Sequence, residues 1–166
     1  GTVSPVMAER LVVWHRWLPP KDPGRLEPSE VRRWVRAVDT RFRVAGGEPA
    51  GAASASLAVS FDPSDLADVV EVALALLDEA DRAGLSVAFG LALGVVDESD
   101  GALLGAPVER AALLANRARP GELVLDPGAR DLAGEEFLFG RQVAAGAGAP
   151  RGTTVDRRHP RRADCS

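Results

Sequence analysis

The chain has 166 residues, of which 46% are hydrophobic and 27% are charged. This length and composition predict one folded domain and exclude an intrinsically disordered chain. The net charge of −4 argues against general nucleic-acid binding, and the single cysteine, Cys165, excludes an internal disulfide or a cysteine zinc site.

The first part of the chain predicts a strand, a helix and a hairpin. β-Branched and aromatic residues over 10–18 indicate a strand that stops at a Pro-Pro pair. Residues 27–47 predict a helix that ends at a Gly-Gly pair, because apolar residues recur there at helical spacing. The apolar stripe consists of Val31, Val35, Val38 and Phe42. Residues 48–61 predict a hairpin whose second strand covers residues 57–61.

A second helix and a long strand follow. Residues 62–84 predict a helix with Asp62 as its N-cap, Pro63 in its first turn and Gly84 at its end. Its apolar stripe consists of Leu66, Val69, Val70, Ala73 and Leu77. Residues 85–96 alternate large apolar side chains with small ones, which predicts a strand with one face in the core. The large residues are Leu85, Val87, Phe89, Leu91 and Leu93.

The remaining elements alternate between helix and strand. We expect a short helix over 107–117, a strand over 122–126, a helical turn over 127–134 and a last strand over 136–143. The first six elements, in the order β-α-β-β-α-β, predict an α+β fold with a ferredoxin-like core. In such a core, two helices cover one face of an antiparallel sheet, and the later elements are C-terminal β/α additions.

The C-terminal residues have a different composition. The last sixteen residues contain five arginines and two aspartates, so we expect residues 146–166 to form a basic, flexible tail, with anion binding as the alternative. The longest apolar run, about twelve residues, is too short to span a bilayer, and no signal peptide opens the chain. One lysine against nineteen arginines suggests a GC-rich bacterial gene. We therefore expect a cytoplasmic bacterial domain without membrane insertion.

Three motifs occur in a characteristic order and spacing. They are GLALGVV (90–96), GAPVERAALL (105–114) and PGELVLD (120–126). Over residues 8–145 the chain resembles the catalytic domain of class III adenylyl and guanylyl cyclases. In that family the corresponding motifs typically are GLHTGEV, GxxVNxAARL and PGEILVS. The resemblance implies the fold of this family for residues 8–145.

The resemblance also implies a catalytic apparatus, and this chain departs from it. The family holds two divalent metal ions on two aspartates, whose positions correspond to His15 and Ala55. Its ribose-binding asparagine and charge-stabilising arginine correspond to Glu109 and Leu113. A carboxylate at position 109 repels a polyphosphate. Neither metal ions nor another cofactor are therefore expected here.

Base recognition and phosphate binding are affected in the same way. The residues that select the base in the family correspond to Gly51 and Ala102, which cannot read a purine edge. The family's phosphate-binding loop corresponds to residues 16–20, where Pro19 and Pro20 have no backbone N–H to donate. The scaffold motifs remain while the chemical groups are lost.

These losses predict a catalytically inactive cyclase-homology domain that serves as a regulatory or dimerisation module of a bacterial signalling protein. Active sites of the family lie at a dimer interface, so a homodimer or a heteromeric signalling partner is expected. Trp17 and Leu113 are the candidate interface residues. For Trp14, Trp17 and Trp34, packing in the core is the alternative to an interface role.

Two other functions remain open. The former cleft could sense a nucleotide or another small molecule without metals, with Arg16 and Arg110 supplying positive charge. A different enzyme activity would need His15 together with Ser54 or Ser56, but no G-x-S-x-G motif accompanies these residues.

Overall fold

The computed structural model describes residues 7–18, 27–53, 56–97, 105–144 and 151–158. In chain order, these ranges contain β1 (Met7–Leu18), α1 (Pro28–Val44), β2 (Glu48–Ala53), β3 (Ser56–Phe61), α2 (Leu66–Arg82), β4 (Ser86–Asp97), α3 (Ala106–Arg117), β5 (Leu123–Leu125), α4 (Pro127–Ala133), β6 (Phe137–Ala144) and β7 (Arg151–Arg158). A single 3-10 turn (Pro63–Asp65) precedes α2.

All seven strands belong to one sheet, in the order β2-β3-β1-β4-β5-β7-β6. β2, β3, β1 and β4 are antiparallel neighbours, and β1 pairs with β4 along its whole length. β5 runs parallel to β4, whereas β7 is antiparallel to both β5 and β6. This order and connectivity confirm the α+β fold with a ferredoxin-like core and C-terminal additions.

α1 and α2 pack on one face of the sheet. Phe42 of α1 is fully buried there, with its ring centroid 5.7 Å from that of Phe61 and 5.6 Å from that of Phe89, both edge-to-face. The predicted stripe of α2 is buried as expected. On α1, Trp34 is buried one helical turn before Val38, whereas two predicted stripe residues are only half-buried. These are Val31 and Val35.

The opposite face of the sheet is covered by α3. Every residue of β4 from 87 to 92 is buried, because α1 and α2 cover one face and α3 covers the other. The expectation that only one face of this strand lies in the core is therefore wrong. The small residues that alternate along β4 do not face water, since Ala88 packs against Leu114, and Ala92 packs in a cluster with Ala111.

α3 lies directly on the backbone of β4 at two glycines. A Cβ at Gly90 would overlap the carbonyl oxygen of Ala111, and a Cβ at Gly94 would lie 2.6 Å from the Cγ of Pro107. The carbonyl of Ala111 is part of a helix and cannot rotate away as a flexible side chain can. Glycine at position 90 is thus required for the close approach of α3 to the sheet.

The C-terminal region contains a strand that the sequence did not suggest. Residues 151–158 form β7, which lies between β5 and β6, so the prediction of a flexible tail over 146–166 is wrong for this segment. Thr154 and Val155 are buried, and the hydroxyl oxygen of Thr154 accepts the backbone N–H of Arg141 at 2.8 Å. The β-branched residues in the middle of this segment indicate a strand, but the arginines at both ends gave it the composition of a solvated tail.

The other predicted elements are present with shifted ends. β1 begins at Met7 rather than at residue 10. Asp62 caps the 3-10 turn instead of α2, because its Oδ1 accepts the backbone N–H of Ser64 at 3.0 Å. Among the described residues, no helix combines the length and apolar character that a membrane crossing requires.

We expect Gly90→Ala to destabilise the fold by about 3 kcal/mol or more, because the added methyl group forces α3 away from β4. Gly128→Ala in α4 is the control, since a Cβ there would lie 3.5 Å from the Cβ of Leu93, an ordinary contact. The control variant should be unchanged or more stable by up to about 1 kcal/mol. Urea unfolding followed by circular dichroism measures both, and a Gly90→Ala variant as stable as the wild type would contradict the packing described.

Candidate functional site

The residues of β1 alternate between the two faces of the sheet. Leu11 and Val13 belong to the core under α1 and α2, and His15 points to the same side, where its ring centroid lies 5.3 Å from that of Phe89. Val12, with Trp14 packed beside it, belongs to the cluster under α3. His15 is therefore directed into the helical layer, away from the face that carries α3.

His15 has the properties of a core residue. Its exposed fraction is 1%, and its Nε2 accepts a hydrogen bond from the indole N–H of Trp34 at 3.3 Å. Burial lowers the pKa of His15 from 6.5 to about 4, so the ring is neutral at pH 7. Because Nε2 is the acceptor, Nδ1 carries the proton, and this atom has no hydrogen-bond partner in the described part of the protein.

This position does not fit the metal pair that the resemblance implies. Hard divalent ions prefer oxygen ligands, whereas His15 offers one neutral imidazole whose Nε2 is already engaged. Its neighbours Trp14 and Arg16 lie on the α3 side of β1 and bring no carboxylate either. Within the five described ranges, no three His, Cys, Asp or Glu side chains are grouped so that they could hold a metal ion.

α3 carries the two other substituted positions on its outer side. Ala111, Leu114 and Ala115 face the sheet and are buried. Glu109 is exposed, and Leu113, one turn further along the helix, has an exposed fraction of 42%. The structure thus places a carboxylate and an apolar side chain together on the solvent side of α3.

Arg110, which is half-buried, is held in place by a buried aspartate. Its Nε donates to Asp126 Oδ2 at 3.0 Å, and its Nη2 donates to the carbonyl oxygen of Leu93 at 2.9 Å. Asp126 is 2% exposed, and its Oδ1 also accepts the backbone N–H groups of Ala129 at 2.8 Å and Leu93 at 3.2 Å. Breaking such a pair leaves a buried charge without compensation, so Arg110 fastens the first half of α3 to β4 and α4.

Arg16 fastens the other end of the same helix. Its Nη1 donates to the carbonyl oxygens of Asn116 at 2.6 Å and Ala115 at 3.4 Å, which are among the last carbonyls of α3. A cation at this end is favoured by the helix dipole and by the free carbonyls. Arg16 and Arg110, the two arginines expected to supply positive charge to a small-molecule cleft, therefore already have partners within the protein.

The three tryptophans occupy different environments. Trp34 is buried, and Trp17 packs against the core cluster under α1 and α2 while remaining partly exposed. Trp17 is therefore on the opposite face of β1 from α3 and cannot share a surface with Leu113, as the interface prediction required. Trp14 is the tryptophan on the α3 side, where it packs beside Val12.

Other positions named from the sequence are described in part or not at all. Gly51 lies in β2 and Ser56 begins β3. Pro19, Pro20, Ser54, Ala55 and Ala102 lie outside the described residues. The sequence reasoning missed two contacts, the Trp34–His15 hydrogen bond and the Arg110–Asp126 ion pair. Trp34 could have been included in the α1 stripe, because it precedes Val38 by one turn.

Comparison with known proteins gives structural matches alone. No protein-family model matches the chain, and no curated protein matches it in sequence. Among solved structures, the adenylyl cyclase CyaB from P. aeruginosa matches with a TM-score of 0.76 at 14% identity, covering 93% of this chain and 96% of that one. The guanylate cyclase domain of RhGC from Catenaria anguillulae, solved with GTP, matches with a TM-score of 0.72 at 13% identity, covering 93% and 100%. The chain has the class III cyclase fold.

A third match supports the same assignment of the cyclase fold. The catalytic core of a rhodopsin-guanylyl cyclase with converted specificity, in complex with ATPalphaS, has a TM-score of 0.76 at 13% identity and covers 95% of this chain and 100% of its own. Nearly all of the chain is therefore accounted for by one fold. Identities this low establish the fold, and the side chains described above must carry any argument about activity.

The buried, neutral state of His15 predicts a pH dependence of stability. The unfolded chain protonates His15 near its ordinary pKa of 6.5, whereas the folded protein does so at about 4. The contribution to stability is therefore complete above pH 6.5 and is lost as the pH falls towards 4. Relative to His15→Gln, which keeps an acceptor for Trp34, the wild type should lose about 1 kcal/mol of unfolding free energy between pH 7 and pH 5.5.

Urea unfolding of both proteins at the two pH values measures this difference. Every other titrating group, His159 included, is common to the two proteins, so the comparison isolates His15. A stability difference that stays constant between pH 7 and pH 5.5 would show that the ring is not held neutral in the folded protein.

Proposed function

We propose that this chain is a catalytically inactive cyclase-homology domain that acts as a regulatory or dimerisation module of a bacterial signalling protein. The observation that carries the proposal is the state of His15, at the position of the family's first metal-binding aspartate. This side chain is 1% exposed, neutral and hydrogen-bonded to Trp34, so it cannot replace a carboxylate that binds metal.

The outer side of α3 supports the same proposal. A cyclase stabilises the negative charge that develops on the transferring phosphate. In this chain the exposed side of α3 has the Glu109 carboxylate and the apolar Leu113 instead. Arg110 and Arg16 cannot compensate without breaking structural contacts, because Arg110 is paired with Asp126 and Arg16 with the end of α3.

These contacts also bear on the alternative, a metal-independent sensor of nucleotides or other small molecules in the former cleft. That function needs cationic groups free to receive phosphate, and the two arginines named for it are engaged within the protein. The geometry therefore favours a protein-binding role for this face over a nucleotide-binding one.

A dimerisation role rests on the exposed apolar side chain of Leu113. Replacing a charged residue with leucine lowers the desolvation cost of burying this surface against another protein. We infer that the outer side of α3, with Leu113 near its middle, contacts a second copy of the domain or a signalling partner.

Purified protein incubated with ATP or GTP and Mg²⁺ or Mn²⁺ should form neither cyclic nucleotide nor pyrophosphate above a protein-free blank. The reason is the loss of ligands at His15, Ala55, Glu109 and Leu113. Chromatographic separation of the products measures this. Sustained turnover that disappears in a His15→Gln variant would overturn the proposal.

Restoring the family residues at all four positions tests whether these side chains alone are sufficient for cyclase activity. His15→Asp, Ala55→Asp, Glu109→Asn and Leu113→Arg together should not give efficient cyclase activity. The new carboxylate at position 15 would lie buried beneath Trp34, and Pro19 and Pro20 would still offer no N–H group to phosphate. The same assay, with circular dichroism to verify folding, measures this, and strong activity would refute both structural reasons.

Self-association of the wild type should be visible by light scattering at high protein concentration, and Leu113→Arg should abolish it. Leu132→Arg is a matched control, because Leu132 of α4 has a similar exposed fraction, 45% against 42%. Equal association of all three proteins would show that the outer side of α3 is not the interface. A monomeric wild type would exclude the homodimer and leave a heteromeric partner.

A further inference from the structure

The outer side of α3 carries opposite charges at equal distances from Leu113. The exposed residues of this 12-residue helix form one stripe, which consists of Ala106, Glu109, Leu113, Asn116 and Arg117. Glu109 lies four residues before Leu113 and Arg117 lies four residues after it, so each charged residue is about 6 Å along the helix axis from the leucine. The stripe is therefore acidic on one side of its apolar centre and basic on the other.

Both charges are available to a partner. Glu109 and Arg117 are exposed, and no described residue forms an ion pair with either of them. Neutral ion pairs account for other charged groups around the helix, namely Arg10–Glu48 and Arg110–Asp126 towards its start and Arg141–Glu122 towards its end. Arg16 and Arg119 add positive charge at the end of α3, so they reinforce the polarity of the stripe.

An antiparallel copy of α3 is complementary to this pattern. When Leu113 of one copy lies against Leu113 of the other, antiparallel helices place Glu109 of each copy opposite Arg117 of the other. The helix dipoles also attract in this arrangement, because the start of each helix lies beside the end of the other. Parallel helices would instead place Glu109 against Glu109 and Arg117 against Arg117. The charges therefore favour a second copy of this helix in the antiparallel direction.

We propose that the domain forms a homodimer in which α3 packs antiparallel against α3 of a second copy, with the twofold axis close to Leu113. This arrangement rests on the proposed function, in which the outer side of α3 binds another protein. Two Glu109–Arg117 pairs flank the central leucines and fix the register of the helices. Because helices of 12 residues bury a small interface, the dimer is weak, forms at high protein concentration and dissociates as salt is added.

Charge reversal tests the pairing, and the twofold axis makes each substitution count twice. Glu109→Arg and Arg117→Glu should each weaken self-association by about tenfold or more, because each leaves like charges opposite one another. Combining both substitutions in one chain restores opposite charges, and so does an equimolar mixture of the two single variants. Both should therefore dimerise within about threefold of the wild type. Sedimentation equilibrium at low ionic strength measures all of these affinities.

Asp78→Arg and Arg36→Glu are the matched controls. These residues are exposed on α2 and α1, on the opposite face of the sheet, and their substitutions make the same changes in net charge. Each control variant, and the mixture of the two, should associate within about twofold of the wild type. Circular dichroism verifies the folding of every variant. If a reversed charge unfolds the domain, Glu109→Gln and Arg117→Gln replace it, and each should weaken the dimer by about threefold or more.

Three results would overturn the antiparallel homodimer. Single variants that dimerise as the wild type does would exclude the Glu109–Arg117 pairs. If, in addition, their mixture associates more tightly than the wild type, the helices are parallel. Neither result contradicts the proposed function, because Leu113→Arg tests separately whether the outer side of α3 is the interface. A monomeric wild type also overturns the homodimer, and it leaves the inactive domain with a heteromeric partner.

Discussion

The contact between α3 and the backbone of β4 is the constraint on which the rest of the structure depends. It requires glycine at position 90, because the carbonyl of Ala111 occupies the space of a Cβ. Two arginines then secure the helix, Arg110 near its start through Asp126 and Arg16 at its end through the last carbonyls. With α3 fixed in this way, β4 is buried on both faces, and the orientation of Glu109 and Leu113 towards solvent follows.

The same constraint explains what the sequence could and could not predict. The helices and strands of the ferredoxin-like core follow from periodicity, because a single buried face produces a regular stripe, as on α2. The alternation on β4 was misleading, since Ala88, Gly90 and Ala92 are small to admit a helix and not because they meet water. β7 was missed because its sequence, with arginines at both ends, does not resemble a buried strand. Its position between β5 and β6 depends on contacts with residues that are distant in sequence.

For the candidate site, the sequence showed which residues differ from the family pattern, but it did not show the burial, orientation and hydrogen-bond partners of those residues. Glu109 and Leu113 are exposed on α3, consistent with an outward-facing surface. The sequence identified His15 at a position where the family binds metal, but it did not indicate that this residue belongs to the core with Trp34 as its hydrogen-bond partner. Trp17 was expected near Leu113, but strand alternation directs it to the other face. Neighbouring residues of β1 face opposite sides of the sheet, so an assignment that is shifted by one residue places a side chain on the wrong face. Composition alone does not show which face a given residue occupies.

The position of β7 also has a consequence for how the protein is made. β5 and β6 are close in sequence but do not pair with each other, because the strand between them is the last described segment of the chain. During synthesis, β6 emerges before the strand that joins it to the sheet, and β5 can pair only with β4 until then. Closure of this half of the sheet therefore occurs late and through contacts that are distant in sequence, which is the slow kind of strand pairing. A chain that ends before residue 151 would lack β7 and leave the facing edges of β5 and β6 exposed, the kind of species that chaperones bind.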